Sequence, residues 1–303
     1  MPAPRLLCAL LATFICASAA SDSNLTAEDK RDVIEAIKTL IATDYVLEDE
    51  VVQVHTALDG KRTAGEYRDA HTHEAFAEAL TKDLVAITSD KHFKVGYRPE
   101  LIKKRRERSE RTATDTPDPP SGTDWNLWYA AQRNFGFEAI EILPGNVGYV
   151  KLTFFHPLDW MRPSIDAAMA LVANTNALIL DLSSNGGGYA PSDSYLGSFF
   201  FDREPVPWAT DFDRPSQETT TASTFRDLGA PRYHNRPVVI LVGERTFSLG
   251  EQFAYSMKHF DKAHIVGGVT AGAANGISFR LVDDNFVIQI PAQRTVDARC
   301  AVR

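Results

Sequence analysis

Residues 238–260, VVILVGERTFSLGEQFAYSMKHF, limit what this chain can become more than any other stretch. A β-branched apolar run ends in a polar turn, and from Ser248 onward apolar residues recur at helical spacing. A buried strand feeding a helix is the unit from which parallel sheets covered by helices are built. The junction also sets the Ser248 hydroxyl at a helix N-terminus, where backbone N–H groups point outward unpaired. A second such strand end lies in residues 177–189, ALILDLSSNGGGY, and runs into three consecutive glycines. A serine on one strand end and a glycine-rich turn on another are parts an acyl-transfer enzyme needs.

The rest of the chain falls into segments. Residues 25–90 read mainly as helix, with Thr26 as an N-cap. Val33, Ile34, Ile37, Leu40 and Ile41 make one apolar stripe, and Phe76, Ala77, Leu80, Leu84 and Ile87 a second. Both stripes read as core. Residues 93–97 alternate like a strand and close a small N-terminal helical domain, 25–100. Residues 101–125 mix a Lys/Arg run with Glu107 and Glu110 and then a Pro-rich stretch, the composition of a solvated linker. From there to residue 303 the pattern is α/β. Strands are expected at 147–155, 177–182, 237–242 and 264–266, and helices at 165–173 and 248–260. Segments 279–282 and 286–290 flank Asp283-Asp284-Asn285 as a hairpin.

Composition removes several function classes. The net charge of −8 gives no electrostatic case for nucleic-acid binding. Residues 1–20 read as a secretory signal, with Arg5, an apolar run from Leu6 to Ala17, and Ser18-Ala19-Ala20 before a cut at Ser21. That run is well short of the about 20 residues a membrane span needs, so no integral segment is expected after cleavage. Export to the periplasm or the extracellular space follows. Cys8 and Cys16 leave with the signal, and Cys300 alone cannot form an internal disulfide. No Cys or His cluster has metal-ligand spacing, so no metal site is expected.

Ser248 has a plain structural reading. Ser248-Leu249-Gly250-Glu251 fits S-x-x-E, a helix capping box. G-x-S-x-G is absent, because Thr246 stands where its first glycine would be, so an α/β-hydrolase elbow is not supported. Asn185-Gly186-Gly187-Gly188 shifts the balance toward chemistry. One glycine would serve a turn, whereas several let a backbone approach a substrate carbonyl and aim N–H groups at it. His92, in Thr88-Ser89-Asp90-Lys91-His92-Phe93, is a candidate base, although a lone histidine is more often packed or surface-exposed.

Taken together, residues 181–188, 246–251 and 267–273, with Pro144 to Tyr149 and Asp90-Lys91-His92, resemble the tail-specific (C-terminal processing) serine peptidases of family S41. The branch containing the interphotoreceptor retinoid-binding protein modules is closer. The resemblance runs from about residue 30 to 295. It implies a ClpP/crotonase-like α/β core with a small N-terminal helical domain. It implies Ser248 as nucleophile. The N–H of Leu249 and one N–H from the Gly186–Gly187 turn would form the oxyanion hole, with no cofactor. The lysine of the family's Ser–Lys dyad corresponds to Ala273, and a supporting glutamine to Ile277. The remaining arrangement is Ser–His, with His92 as base.

Other departures from the family pattern are visible. No PDZ domain is seen between the helical region and the core. Ser183 replaces an arginine, and a Trp-Glu-Gly-x-Gly-Val-x-Pro-Asp segment expected after the last hairpin is not present. The expectation there is a weakened enzyme, a core truncated at the C-terminus, or a substitute acid such as Asp90 or Glu251, with Glu251 and Asp181 as supporting carboxylates. The resulting expectation is an exported serine-type endopeptidase acting on peptides or proteins. The alternative is a catalytically weak or inactive relative that binds an apolar ligand or peptide.

Overall fold

The computed structural model describes residues 25–104, 125–273 and 275–296. The leader, Cys300 and most of the expected linker lie outside them. Residues 99–104 are helical and Ile102 is buried, so regular structure reaches into the segment read as linker.

Three helices open the described chain: α1 (Ala27–Asp44), α2 (Val51–Ala64) and α3 (His73–Thr88). Thr26 caps α1 as expected. Its hydroxyl accepts from the Asp29 N–H at 3.1 Å while the Asp29 carboxylate accepts from the Thr26 N–H at 2.9 Å. The two apolar stripes meet in one core, where Ile34, Ile37, Ile41, Phe76, Leu80 and Leu84 are all buried.

The floor of that core comes from the far end of the chain. Strand β1 (Lys94–Tyr97) pairs antiparallel with β10 (Phe286–Val296), Lys94 opposite Gln289 and Tyr97 opposite Phe286. Strand residues alternate between faces. Phe286, Ile288 and Ile290 therefore enter the helical core together, while Gln289 faces the other way. β10 also pairs with β9 (Asn275–Leu281) and, further along, with β5 (Pro207–Asp213), which pairs with β6 (Glu218–Ser223).

After the short helix α4 (Trp125–Ala131), the second sheet has the order β2-β3-β4-β7-β8. Its strands are Phe137–Leu143, Val147–Leu152, Ala177–Asp181, Val238–Val242 and His264–Gly267. β2 and β3 form an antiparallel hairpin, and the remaining pairs are parallel. Helices α5 (Leu158–Val172) and α7 (Leu249–His259) and the shorter α6 (Ser192–Gly197) supply the covering layer. Met161, Ile165, Phe253 and Met257 share one buried cluster with Leu178, Leu180, Val238 and Ile240. The mixed α/β core with an N-terminal helical region is thus the one expected. Two ends of parallel strands, β4 and β7, open side by side toward one edge of the sheet. No described helix is long and apolar enough to cross a membrane.

Candidate active site

The turn after β7 is stitched to the turn after β4. The buried Thr246 hydroxyl donates to the Leu182 carbonyl at 2.7 Å and accepts from the Gly243 N–H at 3.0 Å. The Phe247 N–H donates to the Asn185 carbonyl at 2.9 Å. Thr246, which breaks the hydrolase-elbow pattern, is thereby the residue that locks the two strand ends together.

Ser248 follows in a left-handed backbone conformation, φ +52° and ψ −121°. A non-glycine residue held there stores strain that the surroundings must maintain, and such strain clusters at functional sites. The expected capping box is in position, but only its glutamate arm has hydrogen-bond geometry, with the Ser248 N–H donating to Glu251 Oε2 at 2.9 Å. The hydroxyl closes no cap bond of its own. Among the described residues the Leu249 N–H has no acceptor, as is usual for the first residue of a helix.

The glycine turn lies directly on this junction. A Cβ on Gly187 would stand 2.8 Å from Ser248 Cβ, 2.9 Å from the Phe247 carbonyl and 3.1 Å from the Leu249 nitrogen. Gly187 also has φ +89°, so only glycine fits without strain or displacement. The turn is braced by Asn185, fully buried, whose amide donates to the Leu152 carbonyl at 3.0 Å. Its Oδ1 accepts from the Gly187 N–H at 2.9 Å. The Gly186 N–H donates to the Thr153 carbonyl at 3.0 Å. Both of these N–H groups therefore have protein acceptors, while that of Leu249 is open.

His92 arrives from the N-terminal segment. Its ring packs on Phe247, centroids 4.8 Å apart, and it is 3 % exposed. Nδ1 lies 3.3 Å from Asp90 Oδ1, close but without hydrogen-bond alignment. Asp90 is held by the backbone N–H of His92 at 2.9 Å and by the Asn275 amide at 3.0 Å. Burial alone would raise the Asp90 carboxyl. The bonds from His92 and Asn275 outweigh it and keep this acid below the usual carboxylate range. Gln289, across the ladder from Lys94, donates to the His92 carbonyl at 2.7 Å.

Glu251 is a hub. Oε1 accepts from the Thr270 hydroxyl at 2.6 Å and the Gly272 N–H at 2.7 Å. Oε2 accepts from Ser248 N–H and, at 3.0 Å, from Ala273 N–H. The loop carrying Ala273 is thus fastened to the first turn of α7, and Ala273 itself is buried. Asp181 sits at the end of β4 and accepts from the Tyr149 hydroxyl at 2.7 Å and the Ser183 N–H at 2.8 Å. Its carboxyl too is lowered: burial opposes, and the bonds from Ser183 and Tyr149 prevail. Asp181 braces the strand end.

Ser248, Leu249, Gly187 and Glu251 therefore meet at one point, with His92 against the adjacent Phe247. Phe247, Asn275 and Gln289 were not singled out by sequence. Nothing in their local pattern marks them, since each acts through a contact with a residue distant in the chain. No group of His, Cys, Asp and Glu among the described residues is arranged to hold a metal ion.

Residues 146–299 match the model of peptidase family S41, and residues 25–124 match the N-terminal domain of Peptidase_S41 in eukaryotic IRBP. Between them the two matches leave residues 125–145, with no room for an inserted PDZ domain. Carboxyl-terminal-processing peptidase 2, chloroplastic, of Arabidopsis thaliana is 27% identical over 138 residues, 43% of this chain and 25% of that protein. The chain thus spans about a quarter of the length of this relative. A candidate peptidase of Parabacteroides merdae superposes with a TM-score of 0.59 at 16% identity, covering 89% of this chain and 85% of that one. The photosystem II D1 C-terminal processing protease gives a TM-score of 0.50 at 16% identity over 88% and 87% of the two chains. At these identities the superpositions speak for the fold alone. The family matches, covering the helical segment and the α/β core in turn, establish that the chain belongs to peptidase family S41.

Proposed function

We propose that this chain is an exported serine-type endopeptidase with Ser248 as nucleophile, His92 as base and Asp90 as the acid that orients the base. The observation that carries this reading is the contact of the His92 ring with Phe247. It sets an imidazole backed by a carboxylate beside the residue that precedes a strained serine.

Asp90 beside Nδ1 favours the tautomer with its proton there, which leaves Nε2 basic. Nε2 takes the Ser248 proton as Oγ attacks the peptide carbonyl carbon. Catalytic hydrogen bonds are commonly long in the free enzyme and tighten when substrate binds. The developing oxyanion takes the Leu249 N–H. A second donor comes from the glycine turn when Gly187 N–H exchanges the neutral Asn185 amide oxygen for a charged acceptor, which binds more strongly. The C–N bond breaks as His92 returns its proton to the leaving nitrogen. Water, deprotonated by the same imidazole, then releases the acyl group as an acid. Glu251 and Asp181 are positioning residues. These steps use no metal or organic cofactor. Export rests on the charged-then-apolar pattern of residues 1–20, and N-terminal sequencing of the exported protein should begin at Ser21.

A fluorophosphonate probe tests the reading, because only an activated serine reacts. Wild type should be labelled and Ser248→Ala should not. A folded wild type that resists the probe would sink it. One observation favours the rival, a catalytically silent protein that binds peptide or an apolar ligand. Both N–H groups of the Gly186–Gly187 turn already have acceptors. The same labelling separates the two.

A further inference from the structure

Helix α7 does more than present Ser248. Residues three and four apart share a helix face. Ser248 therefore heads a stripe continued by Gln252, Tyr255, Ser256 and His259, while Gly250, Phe253, Ala254 and Met257 turn into the core. A cavity of about 340 Å³ lies along that stripe. Trp208, Tyr255 and Phe260 give it aromatic walls, and its lining includes Glu251, which accepts from the Ser248 N–H and from the Thr270 hydroxyl. Gln252 is four residues past Ser248, about 6 Å along the helix axis. That distance corresponds to about two residues of extended chain.

The walls are held in place. The Trp208 indole N–H donates to the buried Asp193 carboxyl at 2.7 Å. Its ring lies nearly parallel to that of Phe260, centroids 6.3 Å apart. Tyr255 stands at the rim, 57 % exposed and stacked on His259. The one carboxylate in the lining has its acceptor sites filled by the fold. A carboxylate offers about four acceptor sites, and Glu251 already serves Ser248, Ala273, Thr270 and Gly272. What remains is aromatic surface with a polar rim, where the Gln252 amide reaches the Ser256 hydroxyl at 3.4 Å. The volume lies at the lower end of the about 300–1,000 Å³ typical of ligand pockets, which suits one large side chain.

We propose that this cavity is the specificity pocket for an aromatic side chain of the peptide substrate, tyrosine or phenylalanine, within about two residues of the scissile bond. The assignment rests on Ser248 being the nucleophile, and its test is arranged so that the two stand or fall separately.

Alanine-based peptides carrying tyrosine, phenylalanine, alanine or lysine at successive positions are compared by kcat/KM. An aromatic residue at one position beside the cleaved bond should raise kcat/KM by about 10-fold or more over alanine. Gln252→Trp, which fills the cavity from the helix, should bring that ratio toward one, and Tyr255→Ala, which removes a wall, should lower it. Thermal melting confirms that each variant folds. In parallel, Ser248→Ala protein is titrated with the tyrosine peptide and followed by tryptophan fluorescence. Saturable binding that Gln252→Trp removes supports the pocket even if wild type resists the fluorophosphonate probe, in which case only the peptidase reading falls. A preference for lysine, or no aromatic preference together with no saturable binding, overturns the pocket.

Discussion

The rings of His92 and Phe247 meet with centroids 4.8 Å apart and planes tilted by 58°. One comes from the turn before β1 and the other from the turn after β7. What brings them together is the ladder between β1 and β10, which sets Lys94 opposite Gln289 and lets Gln289 grip the His92 carbonyl. Asn275, at the start of β9, holds Asp90 from the same C-terminal hairpin. The N-terminal segment therefore delivers an imidazole to the α/β core and packs its own core on the strand that positions it.

Ser248→Ala should abolish labelling and lower peptide hydrolysis by about 10⁴-fold or more. Its stability should stay within about 1 kcal/mol of wild type, since the hydroxyl closes no cap bond. The Glu251 arm of the cap, which bonds the backbone of residue 248, survives the substitution. A variant that hydrolyses peptides like wild type would remove the Ser248 hydroxyl from the chemistry.

If His92 is the base, His92→Gln should remove most of the rate. Asp90→Asn should lower kcat by about 10²–10⁴-fold, because an amide no longer selects the reactive tautomer, and should cost some stability, because its NH₂ would face a donor now bonded to Asp90. A folded His92→Gln enzyme with its rate unchanged would defeat the assignment.

Gly187→Ala tests the close approach of the two turns. The new methyl would press on Ser248 Cβ and the Phe247 carbonyl, in a conformation with φ +89° that alanine resists. Turnover should fall by about 10²-fold or more, the scale of a lost oxyanion donor, with a stability loss of about 1–3 kcal/mol. A folded variant with an unaltered rate would remove the turn from the site.

The parallel core was legible because β4 and β7, buried on one face and largely half-buried on the other, read as continuous apolar runs, and because α7 has a strong helical stripe. The hairpin of β5 and β6 was not. β6 is Glu-Thr-Thr-Thr-Ala-Ser, polar and largely exposed, and it owes its conformation to pairing with β5. Ser248 and the glycine turn could be found from local pattern, since strand-to-helix junctions are local. The partners of His92 and Asp90 could not, because Gln289 reaches the first and Asn275 the second only through the pairings of β10.

Glu251 carries a further prediction. Glu251→Ala would strip the acceptor from the N–H groups of Ser248, Gly272 and Ala273 and from the Thr270 hydroxyl. Leaving such donors unpaired costs about 1–3 kcal/mol in total where water repays part of it. Glu251→Gln should not rescue, since its NH₂ would face N–H donors. Both variants should lose stability and peptide turnover together. Activity retained in a destabilised Glu251→Ala protein would show that the loop of residues 270–273 does not position Ser248.

Asp193 sets a pH dependence of stability that is separate from catalysis. Burial pushes its carboxyl up to about 6, against an ordinary value of 3.8, although Trp208 and backbone N–H groups of the helix end partly oppose the shift. The folded chain therefore keeps this proton after the unfolded chain has lost it. From about pH 4 to about pH 6 unfolding releases the proton, so stability falls as the pH rises. Above that window the loss is complete, on the order of 2–3 kcal/mol. Asp193→Asn cannot ionise and keeps an oxygen for the Trp208 indole. The melting temperature of the variant minus that of wild type, measured across pH at constant ionic strength, should climb through the window and then level off. At about 2–4 °C per kcal/mol for a chain of this size, the climb is easily resolved. Two melting curves that run parallel from pH 4 to pH 7 would show that Asp193 is not held protonated in the fold.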